Sequence, residues 1–391
     1  MLHHPIIIAG GIGEWCRPIT TFRPKCLIPI NGVPILQLQL EQLISIGYKK
    51  VSILLGYMAD EVKEFLNYIN LDIDIQVFVT PIHFSSLDRL VNALTSVQHE
   101  RLLVLYCDNL IPGNVVQKLS TFSGNTFVVQ ERTEGNISIS EMGATYISPN
   151  RSSKTKYVEL GYFLVSRREV MNNYEINSSL VSLLILISTR TPFLWLEIEE
   201  YYSLSNFEQV LLSNKNSKIL YLDRDGIICA KPPSRTYVLD KFSYQLEEKN
   251  INGLTELAKS SYLFVVCTNQ PAVGLGLIST EQLKEIHRSI CLELIKKKVH
   301  ILNFATCEHS WIDECQCRKP KPGLLLESKL QFKMLSNSSK PIYIGDQMSD
   351  REAAESAGFQ PILVNNSTLE DAFDSILDAV NIIQANNYLE K

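Results

Sequence analysis

Leu222-Asp223-Arg224-Asp225-Gly226, entered through the apolar run Ile219-Leu220-Tyr221, is the stretch on which the reading of this chain turns. Two carboxylates two residues apart at the end of a buried strand form a D-x-D pair suited to phosphoryl transfer. The first can attack phosphorus; the second can protonate the leaving oxygen and later take a proton from water. Like charges held so close require a cation, and hard oxygen ligands suit Mg²⁺. Taken alone, D-x-D-G is only moderately specific, and an acidic surface turn is the alternative reading. Two further apolar runs narrow the choice. Tyr262-Leu-Phe-Val-Val-Cys267 leads into Thr268-Asn269-Gln270, a hydroxyl and two amides able to hold phosphoryl oxygens. Pro341-Ile-Tyr-Ile-Gly345 leads into Asp346, with Asp350 four residues on. Three strands that each deliver polar groups at their carboxyl ends predict an open α/β sheet with its ligand crevice there.

Between the second and third runs lie Cys307-Glu308-His309 and Cys315-Gln316-Cys317-Arg318-Lys319-Pro320. Cys307, His309, Cys315 and Cys317 make a Cys₃His set, the composition of a closed structural zinc site. Zinc there would fix the loop that presents Arg318 and Lys319. A disulfide framework fits poorly, because the nine cysteines are odd in number and the rest fall in apolar strands. That usage, and an N-terminus that runs straight into a glycine-rich turn as a first strand, predict a cytoplasmic protein without a signal peptide.

Together DRDG at 223–226, TNQP at 268–271, the C-x-H…C-x-C-R-K-P loop and GDxxxD at 345–350 resemble the haloacid dehalogenase-like phosphatases. Within them they look most like the D-glycero-D-manno-heptose 1,7-bisphosphate 7-phosphatases, over roughly residues 218–370. Histidinol-phosphate phosphatases share the loop type, so that substrate, or another sugar phosphate, stays open. The resemblance implies Asp223 as nucleophile and Asp225 as acid/base, with Thr268 and Lys319 stabilising the transferring group. It implies Mg²⁺ on Asp223, Asp346 and the backbone carbonyl of Asp225, and substrate contacts from Asn269, Gln270, Arg318 and Gln347. Asp350 would orient the metal shell, and Lys321 is a second candidate for the motif lysine. Ile227, Cys229, Leu275 and Gln347 depart from residues frequent in the family, which leaves the catalytic set intact and implies altered substrate contacts.

At 391 residues, with a net charge of −5 and 45% hydrophobic residues, the chain predicts a soluble protein of two domains. No charge excess points to nucleic acid or to a membrane surface. The longest apolar stretch, Leu180 to Ile187, is too short to span a bilayer and reads as a buried helix. The polar segment Ser213-Asn214-Lys215-Asn216-Ser217 follows an amphipathic helix, Phe207 to Leu212, and marks the best boundary. The expected domains are 1–213 and 218–391, joined by a linker at 214–217.

The N-terminal half opens with a strand, then Gly10-Gly11-Ile12-Gly13 and Arg23-Pro24-Lys25. A glycine-rich turn lets backbone N–H groups approach phosphate, and a nearby lysine can neutralise it. With Pro29-Ile-Asn-Gly-Val-Pro-Ile-Leu36, Val51–Gly56, Leu102–Asp108 and Gly161, the half resembles the sugar-1-phosphate nucleotidyltransferases. That likeness implies an NTP co-substrate held by Gly10, Gly11, Gly13 and Lys25, with Asp108 on the catalytic metal. Three departures stand against it. Glu14-Trp15 replaces a Thr and a triphosphate-binding Arg, and a carboxylate there repels phosphates by a few kcal/mol. Ser85-Ser86-Leu87-Asp88 replaces Gly-Thr-Ala-Gly, and Tyr202-Ser203-Leu204-Ser205 replaces the Asp-Ile-Gly-Thr that carries a second metal ligand. Glu197 and Glu199 lie near enough in sequence to stand in for it.

The expected fold is therefore α/β in two domains: a Rossmann-like, GT-A-like nucleotidyltransferase fold, then a HAD-like Rossmannoid fold with a zinc loop. The expected partners are a small-molecule sugar phosphate and, for an active transferase, a nucleotide; the oligomeric state stays open. The N-terminal half is read either as a transferase or as a non-catalytic binding or oligomerisation module.

Overall fold

The computed structural model describes residues 3–386, apart from 177, 235, 336–339, 366, 367, 369 and 370. The chain divides into two compact units. The first comprises Met1–Cys16, Pro24–Ile28 and Pro34–Gln209; the second comprises Arg17–Arg23, Pro29–Val33 and Val210–Lys391.

The first unit is built on a mixed sheet. Its parallel part comprises β1 (His4–Ile8), β2 (Lys50–Leu55), β3 (Asp74–Val79) and β4 (Arg101–Tyr106), ordered β3-β2-β1-β4. The chain thus reverses its direction of travel across the sheet at β1, which makes a crevice between the carboxyl ends of β1 and β4. Antiparallel strands extend it: β5 (Thr126–Glu131), β6 (Ile137–Ser140), β7 (Gly143–Tyr146) and β8 (Tyr157–Ser166), with β9 (Leu194–Glu197) beside β5. Ile6, Leu54, Leu90, Val104, Phe127, Phe163 and Leu184 share one buried core. The apolar stretch from Leu180 begins a helix, Leu180–Arg190, that buries Leu180, Leu183, Leu184 and Ile187 on one face at helical spacing.

Among the described residues the main sheet of the second unit has five parallel strands. They are β10 (Lys218–Leu222), β11 (Tyr262–Asn269), β12 (Ile301–Cys307), β13 (Ile342–Gly345) and β14 (Gln360–Leu363), in the order β12-β11-β10-β13-β14. Strands covered on both faces are apolar at every position, not alternating, which is why these segments stood out as continuous runs. The helices Glu248–Lys259 and Thr280–Lys296 pack Leu254, Leu257, Ile286 and Ile290 onto Leu220, Phe264 and Val266. Ser279 and Gln282 cap the longer helix reciprocally. The polar stretch after the helix Phe207–Ser213 is an ordered turn: Asn214, 1% exposed, donates its side-chain amide to the Val210 and Pro29 carbonyls.

Candidate active site

β10 lies between β11 and β13, so the residues that follow these three strands are brought to one rim. Asp223 follows β10, Thr268 lies near the end of β11, and Asp346 follows β13. Gly226 takes φ +83°, and a Cβ there would lie 2.6 Å from the Asp346 carboxylate, so the turn after D-x-D requires glycine. Asp223, Asp346 and Asp350 are 6%, 4% and 1% exposed, and each offers an oxygen within 4.8 Å of the others.

Lys319 reaches into this trio from the cysteine loop. Its Nζ lies 2.9 Å from Asp223 Oδ2 and 2.7 Å from Asp350 Oδ1, and it donates to Tyr343 Oη at 2.7 Å. Burial alone would depress the Lys319 ammonium, but the two carboxylates outweigh it and raise its pKa. Burial pushes the Asp223 carboxyl up, to about 7, with Asp350 and Asp225 adding to the rise and Lys319 opposing it. Asp350 also accepts from the backbone N–H groups of Asp346 and Gln347, which ties the metal-side turn to the lysine. Lys231 pairs with Asp346 Oδ2 at 2.7 Å, and a cavity of about 400 Å³ opens there, lined in part by Gly226, Lys231, Lys249 and Asn365.

Three buried carboxylates at this separation repel one another unless a cation intervenes, and an all-oxygen donor set fits Mg²⁺. The Asp225 carboxylate lies outside that trio. It is gripped by Arg224 and by the Gln270 amide, which donates to Oδ2 at 2.9 Å.

The remaining residues singled out from the sequence are placed as follows. Gln270 also donates to Thr268 Oγ1 at 3.0 Å. Asn269 holds the backbone of Lys319 through both its amide groups, each at 3.1 Å. Arg318 is half-buried and contacts the His309 carbonyl. Lys321 donates to the Glu314 and Cys315 carbonyls, so it braces the loop while Lys319 enters the carboxylates. Gln347 is exposed at the start of the helix Met348–Ser356. Tyr343 and Lys231 were not legible as site residues; the tyrosine is hidden in an apolar strand, where its hydroxyl bridges Lys319 and the Cys267 carbonyl.

Cys307, His309, Cys315 and Cys317 converge as a second cluster. The sulfur–sulfur separations are 3.6, 3.3 and 3.4 Å, and His309 Nδ1 is 3.3 Å from Cys317 Sγ. Four ligands placed tetrahedrally about 2.3 Å from one ion stand roughly 3.7 Å apart, so the set fits zinc. The sulfurs are too far apart for disulfides, and all three cysteines are free.

The N-terminal crevice is arranged differently. Lys25 Nζ lies 2.8 Å from Asp108 Oδ2, so two residues expected to meet nucleotide and metal meet each other. Asp108 belongs to neither cluster of prospective metal ligands found among the described residues. Arg89, 3% exposed, lies between the turn after β1 and the turn after β2. Its guanidinium donates to the Leu55, Thr80 and Ile82 carbonyls and to Thr80 Oγ1. A Cβ at Gly10 would come within 2.6 Å of Arg89 Nε, and one at Gly56 within 2.3 Å of its Nη1. Ser85 and Asp88 cap the helix Ser86–Leu94 that carries Arg89. Gly11 and Gly13 lie on the same turn, followed by Glu14, exposed, and Trp15, 82% exposed. Glu159, beside Gly161, is pushed up to about 8 by burial, and Glu197 and Glu199 are exposed.

Residues 4–129 match the nucleotidyl transferase family, and residues 218–371 match the polynucleotide kinase 3 phosphatase family. Over 163 residues the chain is 31% identical to the D-glycero-alpha-D-manno-heptose-1,7-bisphosphate 7-phosphatase of Campylobacter jejuni, covering 40% of this chain and 88% of that protein. Over 171 residues it is 27% identical to the D-glycero-beta-D-manno-heptose-1,7-bisphosphate 7-phosphatase of Pseudomonas putida, covering 42% and 93%. A solved structure of a D,D-heptose 1,7-bisphosphate phosphatase from B. bronchiseptica, complexed with magnesium and phosphate, is 22% identical with a TM-score of 0.39, over 43% of this chain and 99% of that one. No helix among the described residues is long and apolar enough to cross a membrane.

Proposed function

Since the chain belongs, through its C-terminal half, to the heptose-1,7-bisphosphate 7-phosphatases, we propose that it removes the 7-phosphate of D-glycero-D-manno-heptose 1,7-bisphosphate through an aspartyl-phosphate on Asp223. The observation that carries the reading is the meeting of Asp223, Thr268, Lys319, Asp346 and Asp350 at the carboxyl ends of adjacent parallel strands. Asp223 attacks phosphorus while the bond to the sugar oxygen breaks, and Asp225 gives that oxygen its proton. Water then attacks the phosphorus of the aspartyl-phosphate, Asp225 takes back a proton, and inorganic phosphate leaves. Lys319 and the Thr268 hydroxyl would hold the equatorial oxygens, whose spread of charge is what catalysis has to stabilise. Asp223, Asp346 and Asp350 are the carboxylates able to hold Mg²⁺, which when bound supplies further positive charge to the transferring group. Cys307, His309, Cys315 and Cys317 would hold zinc and so fix the loop from which Lys319 projects.

The test is phosphate release from heptose 1,7-bisphosphate with Mg²⁺, beside histidinol phosphate and hexose phosphates, with Asp223→Asn as control. The expected product keeps its phosphate at C1, as ³¹P NMR would report. Preferential turnover of histidinol phosphate would discard the heptose assignment and keep the chemistry.

For the N-terminal unit, Arg89 and the Lys25–Asp108 pair favour a nucleotidyltransferase fold that no longer takes up NTP. Calorimetry of the full chain with each NTP and Mg²⁺ is expected to show no binding. Pyrophosphate release from an NTP and heptose 1-phosphate would sink this second reading.

A further inference from the structure

Arg224, the residue between the two catalytic aspartates, is 1% exposed. Its Nε donates to Asp225 Oδ1 and its Nη2 to Asp225 Oδ2, both at 2.9 Å. A planar guanidinium gripping both oxygens of its own chain neighbour fixes the plane of that carboxylate as well as its charge environment. The remaining corner, Nη1, lies 3.3 Å from His287 Nε2. His287 is buried and stacked on Phe304 at 4.1 Å. Burial, and then the Arg224 charge, hold its pKa well below the usual range, so the neutral ring accepts from Arg224. Gln270 fills a further position on Asp225 Oδ2.

A carboxylate has about four lone-pair sites, two per oxygen. Among the described residues, Oδ2 is engaged by Arg224 and Gln270, and Oδ1 by Arg224 alone. We infer that Arg224, backed by His287, is a positioning residue for the acid/base, and that Asp225 Oδ1 is the atom through which the proton passes. The proton on Oδ1 goes to the leaving alkoxide oxygen as the P–O bond breaks. It is replaced from the water that later attacks phosphorus, and Arg224 stays charged throughout.

This rests on the phosphatase reading, and the experiment separates the two. Single turnovers, with enzyme in excess, are followed for an alkyl phosphate that the protein hydrolyses and for p-nitrophenyl phosphate, whose leaving group needs no proton. Arg224→Lys keeps the charge and loses the fork. The expected result is a fall of about 10²-fold in the alkyl phosphate rate, the scale of general acid catalysis, with the half-saturating enzyme concentration within about threefold. Nitrophenolate release should stay within about threefold of the unsubstituted protein. His287→Leu should give the same pattern more weakly, and it decides the matter should Arg224→Lys fail to fold. Equal losses on both substrates, or no loss on either, would overturn the inference. No phosphate release by the unsubstituted protein from heptose 1,7-bisphosphate, histidinol phosphate, hexose phosphates or p-nitrophenyl phosphate would overturn the phosphatase reading itself.

Discussion

The two crevices of this protein start from the same local pattern and end in opposite electrostatic states. In each, a buried parallel strand runs into a glycine-containing turn, and an aspartate stands at the end of a neighbouring strand. At Gly226 the missing Cβ admits the Asp346 carboxylate, and three buried carboxylates gather with Lys319 and Lys231 set against them. Three carboxylates so close still call for a cation. At Gly10 and Gly56 the missing Cβ admits Arg89, whose charge is met by carbonyls, while Lys25 is met by Asp108. Glycine in such a turn reports that something comes close to the backbone; it does not report whether that something is a ligand or a side chain of the same chain.

The largest effect that could break this contrast is loss of the nucleophile. Asp223→Asn should lower turnover at least about 10⁴-fold, the scale seen when a covalent nucleophile is removed. Residual activity near that of the unsubstituted protein would return the C-terminal crevice to the same rank as the N-terminal one. Next in size is the metal loop. Cys315→Ser should reduce bound zinc, measured by elemental mass spectrometry, and lower the melting temperature of the C-terminal unit by roughly 5–10 °C, because structural zinc contributes folding energy. Full zinc content with an unchanged melting curve would remove zinc from the account of how Lys319 is held.

Much of the C-terminal unit was legible because its groups sit on contiguous motifs at strand ends. Once β10, β11 and β13 are recognised as adjacent, Asp223, Thr268 and Asp346 must share a rim. The finer division of labour was not legible. Asn269 and Gln270 carry the same chemistry whether they face substrate or protein, and only the fold shows Asn269 on the Lys319 backbone and Gln270 on Asp225. Arg89 was the least legible residue of all. It lies 79 positions from Gly10 in sequence, and its place depends on the helix Ser86–Leu94 delivering it between two strand ends. Local pattern encodes strands and turns, whereas a buried guanidinium reveals itself only through tertiary contacts.

Acid offers a smaller test that treats the units separately. Burial depresses His4 to about 4 in the first unit and His300 to about 3 in the second. In the unfolded chain both titrate near 6.5, so between that pH and the folded values the unfolded state binds more protons. Stability is therefore complete above about pH 6.5 and is lost as pH falls, by about 1.4 kcal/mol per unit for each histidine. The loss from His4 levels off near pH 4 and that from His300 near pH 3. Urea melts followed by Trp311 alone, after replacing Trp15 and Trp195, should show the second unit still losing stability below pH 4. Replacing His300 with Asn should lessen that slope and leave the share of His287, whose pKa burial also lowers; an unchanged slope would assign the acid sensitivity elsewhere.

The smallest effect bears most directly on what separates the crevices. A methyl group at Gly10 would lie 2.6–2.9 Å from the end of the Arg89 side chain, which can yield, so Gly10→Ala should cost only about 1 kcal/mol, at the low end for overpacking. If Arg89 is the occupant that requires glycine, the cost should vanish in an Arg89→Ala background, giving a coupling energy of similar size in a double-mutant cycle. If the cost persists there, the turn needs glycine for its own backbone or for an external ligand, and the N-terminal crevice would again resemble the other. Arg89→Ala removes the guanidinium but leaves Lys25 on Asp108 and Glu14 in the turn, so it should open space without restoring transfer. NTP binding gained by Arg89→Ala alone would identify the arginine as the dominant barrier; binding that also requires Glu14→Thr would place phosphate repulsion beside it.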